Sequence, residues 1–130
     1  MEEIPKPNVR SHTVGTTAVV YASDYLNKLT GERIERECKK QLDSGCRALV
    51  IDFSDTQLVN SIGISILLGI IDIAEKSGSV VVFSDVNNET VQLFGMLGLT
   101  RHVVLAKDQQ EALTNLSTLT SQSRAIGYQS

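Results

Sequence analysis

The sequence predicts one α/β domain, built as a mostly parallel mixed sheet of four or five strands with about four helices. Three observations predict it. A chain of 130 residues with 42% hydrophobic content suits one core, because two domains of half that size would each bury too little surface. Leu49–Phe53 is a short apolar run rich in branched residues, the composition of a strand buried on both faces. Strand-like and helix-like segments then alternate from Gly45 onward, the order of a parallel sheet with right-handed crossovers.

The elements follow in order. Met1–Arg10 carries two prolines and mixed charge, so residues 1–12 are expected to lead flexibly into a domain spanning 13–119. A first strand is expected somewhere in Asn8–Val14, with Gly15 turning the chain tightly into a second strand over Thr16–Ala22. Ser23–Leu29 leads out of that strand. Thr30 is the candidate cap of a first helix, with Glu32 favourably placed near its positive end. That helix runs to about Asp43, and Ile34, Cys38 and Leu42 recur every four residues as its buried stripe. Glu32/Arg36 and Glu35/Lys39 are oriented to pair on its wet face. Ser44-Gly45 ends it, and Cys46–Phe53 forms the central strand.

A polar turn, Ser54–Gln57, separates that strand from Asn60-Ser61, which opens a second helix to about Lys76. Asn is among the best N-caps, because its side-chain oxygen accepts an otherwise orphaned backbone N–H. Apolar residues surround most of this helix, while Ser61, Ser65, Gly69 and Asp72 recur every three or four positions. They make one face of weaker apolarity, with Ile62 beside its head, and that face is expected to point outward. Gly63 inside a helix costs about 1 kcal/mol against Ala, which implies close approach of a neighbouring strand or of a partner. Ser77-Gly78 stops the helix and Ser79–Ser84 is a strand. Asn87 or Asn88 caps a third helix that ends before Gly98, a C′ glycine. Leu99–Ala106 holds a last strand, best at His102–Leu105. Asp108 and Glu111 have capping-box spacing, and Leu113 and Leu116 continue a fourth helix to about Leu119. Residues 120–130 are polar and expected to fray.

Composition excludes several classes of function. A net charge of −3 and the lack of tryptophan argue against nucleic acid as partner. Met1–Pro7 lacks the apolar core of a signal peptide, and Ile62–Ile73 is too short and too interrupted to span a bilayer, so a cytoplasmic location without membrane insertion is expected. Cys38 and Cys46 lack metal-ligand spacing and read as buried or free thiols. His12 and His102 have no Cys, Asp or Glu partner at ligand spacing, so neither a metal nor another cofactor is expected. There is no phosphate-binding Gly-x-x-x-x-Gly-Lys loop and no Gly-x-Ser-x-Gly nucleophile elbow. Asp52 and Asp55 straddle a strand end, where solvation and turn capping explain them better than acid–base chemistry. The basic residues of Arg33–Lys40 alternate with Glu and read as a solvated helix face. No catalytic set assembles, and a non-enzymatic protein is expected.

Asp52-Phe53-Ser54, an intervening turn, and Asn60-Ser61-Ile62-Gly63 opening an apolar helix together resemble the STAS family of anti-sigma factor antagonists and sulfate-transporter cytoplasmic domains. Gly78–Phe83 is similar to the family's next strand and Val91–Leu99 to the following helix, so the resemblance runs from about Thr16 to Leu116. It implies an anti-sigma factor antagonist-like regulator that binds a serine kinase acting as an anti-sigma factor. In that reading Ser61 is phosphorylated by the kinase and a phosphatase resets it. Asn60 and Gly63 would shape the motif, while Ile62, Ser65, Gly69, Asp24 and Thr56 would meet the partner. One departure is Asn60, which stands where many switch members carry Asp. Thr56 and Ser54 also read as hydroxyls that stabilise their turn. Two alternatives remain at this level: an unphosphorylated scaffold subunit of a sensory or transport complex, and a small hydrolase. Homodimerisation is left open.

Overall fold

The computed structural model describes residues 9–117. The expected tail, most of the expected lead and the end of the fourth helix lie outside them. Eleven elements precede the last helix: β1 (Ser11–Val14), β2 (Thr17–Tyr21), β3 (Tyr25–Leu26), α1 (Lys28–Asp43), β4 (Ala48–Asp52), β5 (Leu58–Val59), α2 (Ser61–Lys76), β6 (Val80–Ser84), α3 (Asn88–Met96), a 3₁₀ turn (Leu99–Arg101) and β7 (Val104–Ala106). A fourth helix, α4, covers 109–117.

The main sheet runs β1-β2-β4-β6-β7, with only β1 antiparallel to its neighbour. Each parallel step passes through one helix, so α1, α2 and α3 cover the same face. That face holds the larger core: Ala18, Val20, Leu49, Ile51, Val81 and Phe83 from the strands meet Ile34, Leu67, Ile71 and Phe94 from the helices. Phe53, Phe83 and Phe94 meet edge to face or tilted, with centroids 5.1–5.9 Å apart. The opposite face packs Val19, Val50, Val82 and Ala106 under Ala112 and Leu116 of α4. The alternation follows the pleat, since successive strand residues point to opposite faces.

Several local expectations change. The first helix is capped by Asn27, not Thr30: the Asn27 side chain accepts from Thr30 N, and Thr30 Oγ1 accepts from Asn27 N at 3.0 Å. Asn competes better than Thr for the cap, and Thr at the third helical position completes the reciprocal pair. The ion pair at that end is Lys28–Glu32 at 3.9 Å, instead of the expected Glu32/Arg36 and Glu35/Lys39 pairs. All are exposed or half-exposed side chains for which alternative partners differ by little free energy. The last strand starts at Val104, because Leu99–Arg101 closes a 3₁₀ turn after Gly98, whose φ of +83° suits glycine. In α4, Glu111 N donates to Asp108, as expected, but the Glu111 carboxylate accepts from Lys107 N instead of the cap residue's own N–H. Asp52 is 2% exposed, so solvation does not explain it. Its carboxylate accepts from Ser54 N at 3.0 Å, from the Ser54 hydroxyl, and from Ser84 Oγ at 2.9 Å. It therefore ties the β4 end to β6 and caps the turn. Burial raises the Cys38 and Cys46 thiols above their ordinary range, which keeps them unreactive.

Candidate functional site

The site is the start of α2 and the backbone that holds it. Asn60 takes an extended conformation, and its side chain accepts from Gly63 N at 2.8 Å, as its sequence position predicts. Ser61 is the first helical residue, and it is exposed. The N–H groups of this first turn that Asn60 leaves free point outward beside it, at the positive end of the helix dipole.

What fixes this helix start is a second, two-stranded parallel sheet in which β3 pairs with β5. The sequence predicts only a lead-out over Ser23–Leu29 and no sheet there. The segments are only two residues each, Tyr25-Leu26 and Leu58-Val59, too short to show a period. Asn60 N donates to Leu26 O at 3.0 Å, and Gln57 N donates to Asp24 O at 2.8 Å. Gly63 lies so close to β3 that a Cβ placed there would fall 2.5 Å from Leu26 O. The close approach implied by a glycine in this helix is thus made by a strand. The Asn60 amide also reaches the Tyr25 hydroxyl at 3.4 Å.

The surroundings of Ser61 are apolar but exposed: Leu58 is 57%, Ile62 47% and Tyr25 38% accessible. Along α2, Ser65, Leu68 and Asp72 are exposed on the same side, whereas Ile64, Leu67, Ile70, Ile71 and Ala74 are buried. Gly69 is half-buried, facing α1, where a Cβ would stand 3.7 Å from a Glu35 carboxylate oxygen. Asp24 is exposed, with one carboxylate oxygen accepting from Tyr25 N at 2.8 Å. Thr56, expected to face a partner, is instead 7% exposed. Its hydroxyl donates to Ser23 O at 2.7 Å, so it pins the β4–β5 turn to the end of β2. The structure therefore gathers Asp24, Asn60, Ser61, Ile62 and Ser65 at one surface, adds Tyr25 and Leu58, and withdraws Thr56.

The surface carries no acid–base pair and no activated nucleophile: Ser61 has no histidine near it, since His12 packs on Tyr21 in the sheet and His102 pairs with Glu75 at 3.3 Å. Among the described residues no group of three or more His, Cys, Asp or Glu could hold a metal ion, and no helix is long and apolar enough to cross a membrane. What the arrangement offers is a hydroxyl at a helix N-terminus inside an accessible apolar patch.

Comparison with known proteins points the same way as the fold. No curated protein matches the chain by sequence. Among solved structures, a serine-to-glutamate variant of RsbS from Moorella thermoacetica superposes with a TM-score of 0.78 at 22% identity, over 88% of this chain and 99% of that one. An anti-sigma-factor antagonist (STAS) domain protein from Planctomyces limnophilus gives 0.74 at 15% identity, over 85% and 98%. The Bacillus cell-fate determinant SpoIIAA in its phosphorylated form gives 0.67 at 16% identity, over 83% and 98%. At these identities the likeness is one of fold. The STAS domain family itself matches residues 8–112, the whole of both sheets and the three crossover helices, and to that family this chain belongs.

Proposed function

We propose that the protein is an anti-sigma factor antagonist-type regulator that acts by binding, not catalysis, and that phosphorylation of Ser61 switches it. The observation that carries this reading is the exposed Ser61 hydroxyl at the head of α2, ringed by the accessible side chains of Tyr25, Leu58 and Ile62. Exposed apolar patches of this kind mark interaction surfaces. A partner seated on Ile62 and Ser65 desolvates Ser61 as well. By likeness to the antagonists of this fold, the partner is a serine kinase that doubles as an anti-sigma factor, and a phosphatase removes the phosphate. SpoIIAA, which shares the fold, has been seen both phosphorylated and unphosphorylated, which supports reading this chain as one that is switched by phosphate.

The physical case rests on two opposite responses to one charge. A phosphoserine carries about −1.5 to −2 charge near neutral pH. The helix N-terminus favours that charge, so the fold tolerates it. An interface does not, because a buried unpaired charge costs several kcal/mol. Ser61→Glu is therefore expected to melt within a few degrees of wild type yet lose partner affinity, and Ser61→Ala to bind constitutively without accepting phosphate. Calorimetric titration against the cognate kinase, with melting curves on the same samples, tests this. Equal affinity of Ser61→Ala and Ser61→Glu would leave the scaffold reading in place of the switch. Mass spectrometry of protein purified from its own host gives an independent check on phosphoserine at position 61.

A further inference from the structure

A second site lies away from Ser61, in a pocket of about 230 Å³ between the end of β2, the residues leading into β1, and α1. Thr30, Arg33 and Ile34 line it from one face of α1, being three and four positions apart. Val9 and Arg10 line it from the residues leading into β1, and Asp55 also lines it. The whole chain has a net charge of −3, yet among the described residues two of the three charged groups lining this pocket are arginines. Neither arginine has a carboxylate within ion-pair distance among the described residues, Asp55 included. Arg10 is held in place: its guanidinium lies 4.0 Å over the Tyr21 ring, and the Tyr21 hydroxyl accepts from Gln109 at 2.6 Å. Val9 and Ile34 supply apolar lining beside the two cations.

From this juxtaposition we propose that the pocket binds a small organic carboxylate, its anionic end shared by Arg10 and Arg33 and its apolar body against Val9 and Ile34. The planar guanidinium matches a carboxylate in a two-bond fork, and the apolar lining favours an anion with an apolar body over inorganic phosphate. The volume lies below the usual range for ligand clefts, about 300–1,000 Å³, and so fits an occupant smaller than a nucleotide. The site shares no residue with the Ser61 surface, so its test stands independently of the proposed switch.

The test is a titration of the isotope-labelled full chain, followed by amide NMR, with benzoate, benzamide and inorganic phosphate as probes. Benzoate is expected to move the amides of Ala22, Arg33 and Ile34 in a saturable way. Benzamide, equal in shape but neutral, and phosphate, charged but without an apolar body, should each bind at least about tenfold more weakly. Arg33→Gln, a substitution of a partly exposed side chain, should weaken benzoate by at least about tenfold while leaving the melting temperature in place. Arg10→Gln should act in the same direction. Equal binding of benzoate and benzamide, tighter binding of phosphate than of benzoate, an unchanged Arg33→Gln, or no benzoate shift at about 10 mM would each overturn the proposal.

Discussion

Gly63→Ala is the sharpest probe of how the site is held. In an ordinary helix interior this change stabilises by about 1 kcal/mol, through the lower conformational entropy lost by alanine. Here the new methyl would sit 2.5 Å from Leu26 O and 3.0 Å from the Leu26 carbonyl carbon and Cγ. No rotamer relieves the contact, because the methyl has none and its main obstacle is backbone. Either β3 or the head of α2 has to move. Overpacking of this kind costs about 1–3 kcal/mol. Displacing Leu26 O also lengthens the hydrogen bond it accepts from Asn60 N, worth about 1 kcal/mol. The clash and the weakened bond outweigh the propensity gain, and a net loss of about 2 kcal/mol is expected, on the order of 10 °C in Tm for a domain of this size. Urea unfolding measures it, with Gly69→Ala as the control on the same helix. At Gly69 the nearest atom to a new Cβ is a Glu35 oxygen at 3.7 Å, ordinary contact, so that variant should gain up to about 1 kcal/mol. Gly63→Ala as stable as wild type, or both variants losing alike, would refute the close approach of β3.

Three further outcomes follow from the same geometry. Leu67 is 1% exposed at the centre of the larger core, so Leu67→Ala should cost about 2–5 kcal/mol in denaturant unfolding, and a loss no greater than that of a surface change would contradict its placement. Asn60→Ala should cost about 0.5–2 kcal/mol, whereas Asn60→Asp should keep the bond from Gly63 N and add a favourable dipole contact; an Asp variant less stable than the Ala variant would point to an unrecognised anion beside the cap. Asp85 has its carboxyl raised above the ordinary range by burial and then by the charges of Asp52 and Asp108. A folded-state pKa above the unfolded one means that the native protein loses stability as pH rises through that window and stays penalised at neutral pH. Asp85→Asn should therefore be more stable than wild type at pH 7, the more so because Asn also tolerates the left-handed φ of +58°. The charge-dependent part of the gain should vanish below the ordinary carboxylate pKa, and a gain persisting unchanged into acid would exclude the charge as its cause.

The large elements were legible because each carries a distinctive composition or cap. Leu49–Phe53 announced a buried strand by composition, and Asn60 announced the start of α2 by its chemistry; both stand where expected. Ile51, Val81 and Leu67 are buried as their central elements require. Position 63 revealed that something comes close, but not what, since a glycine records the absence of space without naming the neighbour. Tyr25 and Leu58 went unrecognised because their strands are short and pair with each other alone. Thr56 reads in the sequence as a turn-stabilising hydroxyl and is one, but such a hydroxyl reads the same whether it faces solvent or, as here, a distant carbonyl. Which residues of a half-apolar surface face a partner is a property of three-dimensional neighbourhood, and periodicity within one segment does not carry it.

The small parallel sheet bears on how the protein comes to be folded. Thr56 reaches the chain 33 residues earlier and Asn60 reaches 35 residues back. Closing loops of that length is a conformational search that local helix formation does not need. The body of α2 can coil from near-neighbour contacts, but its first turn acquires its final setting only when β3 arrives. The head of the helix is the exposed end of α2, so backbone amides around Asn60 should exchange with solvent sooner than those around Leu67.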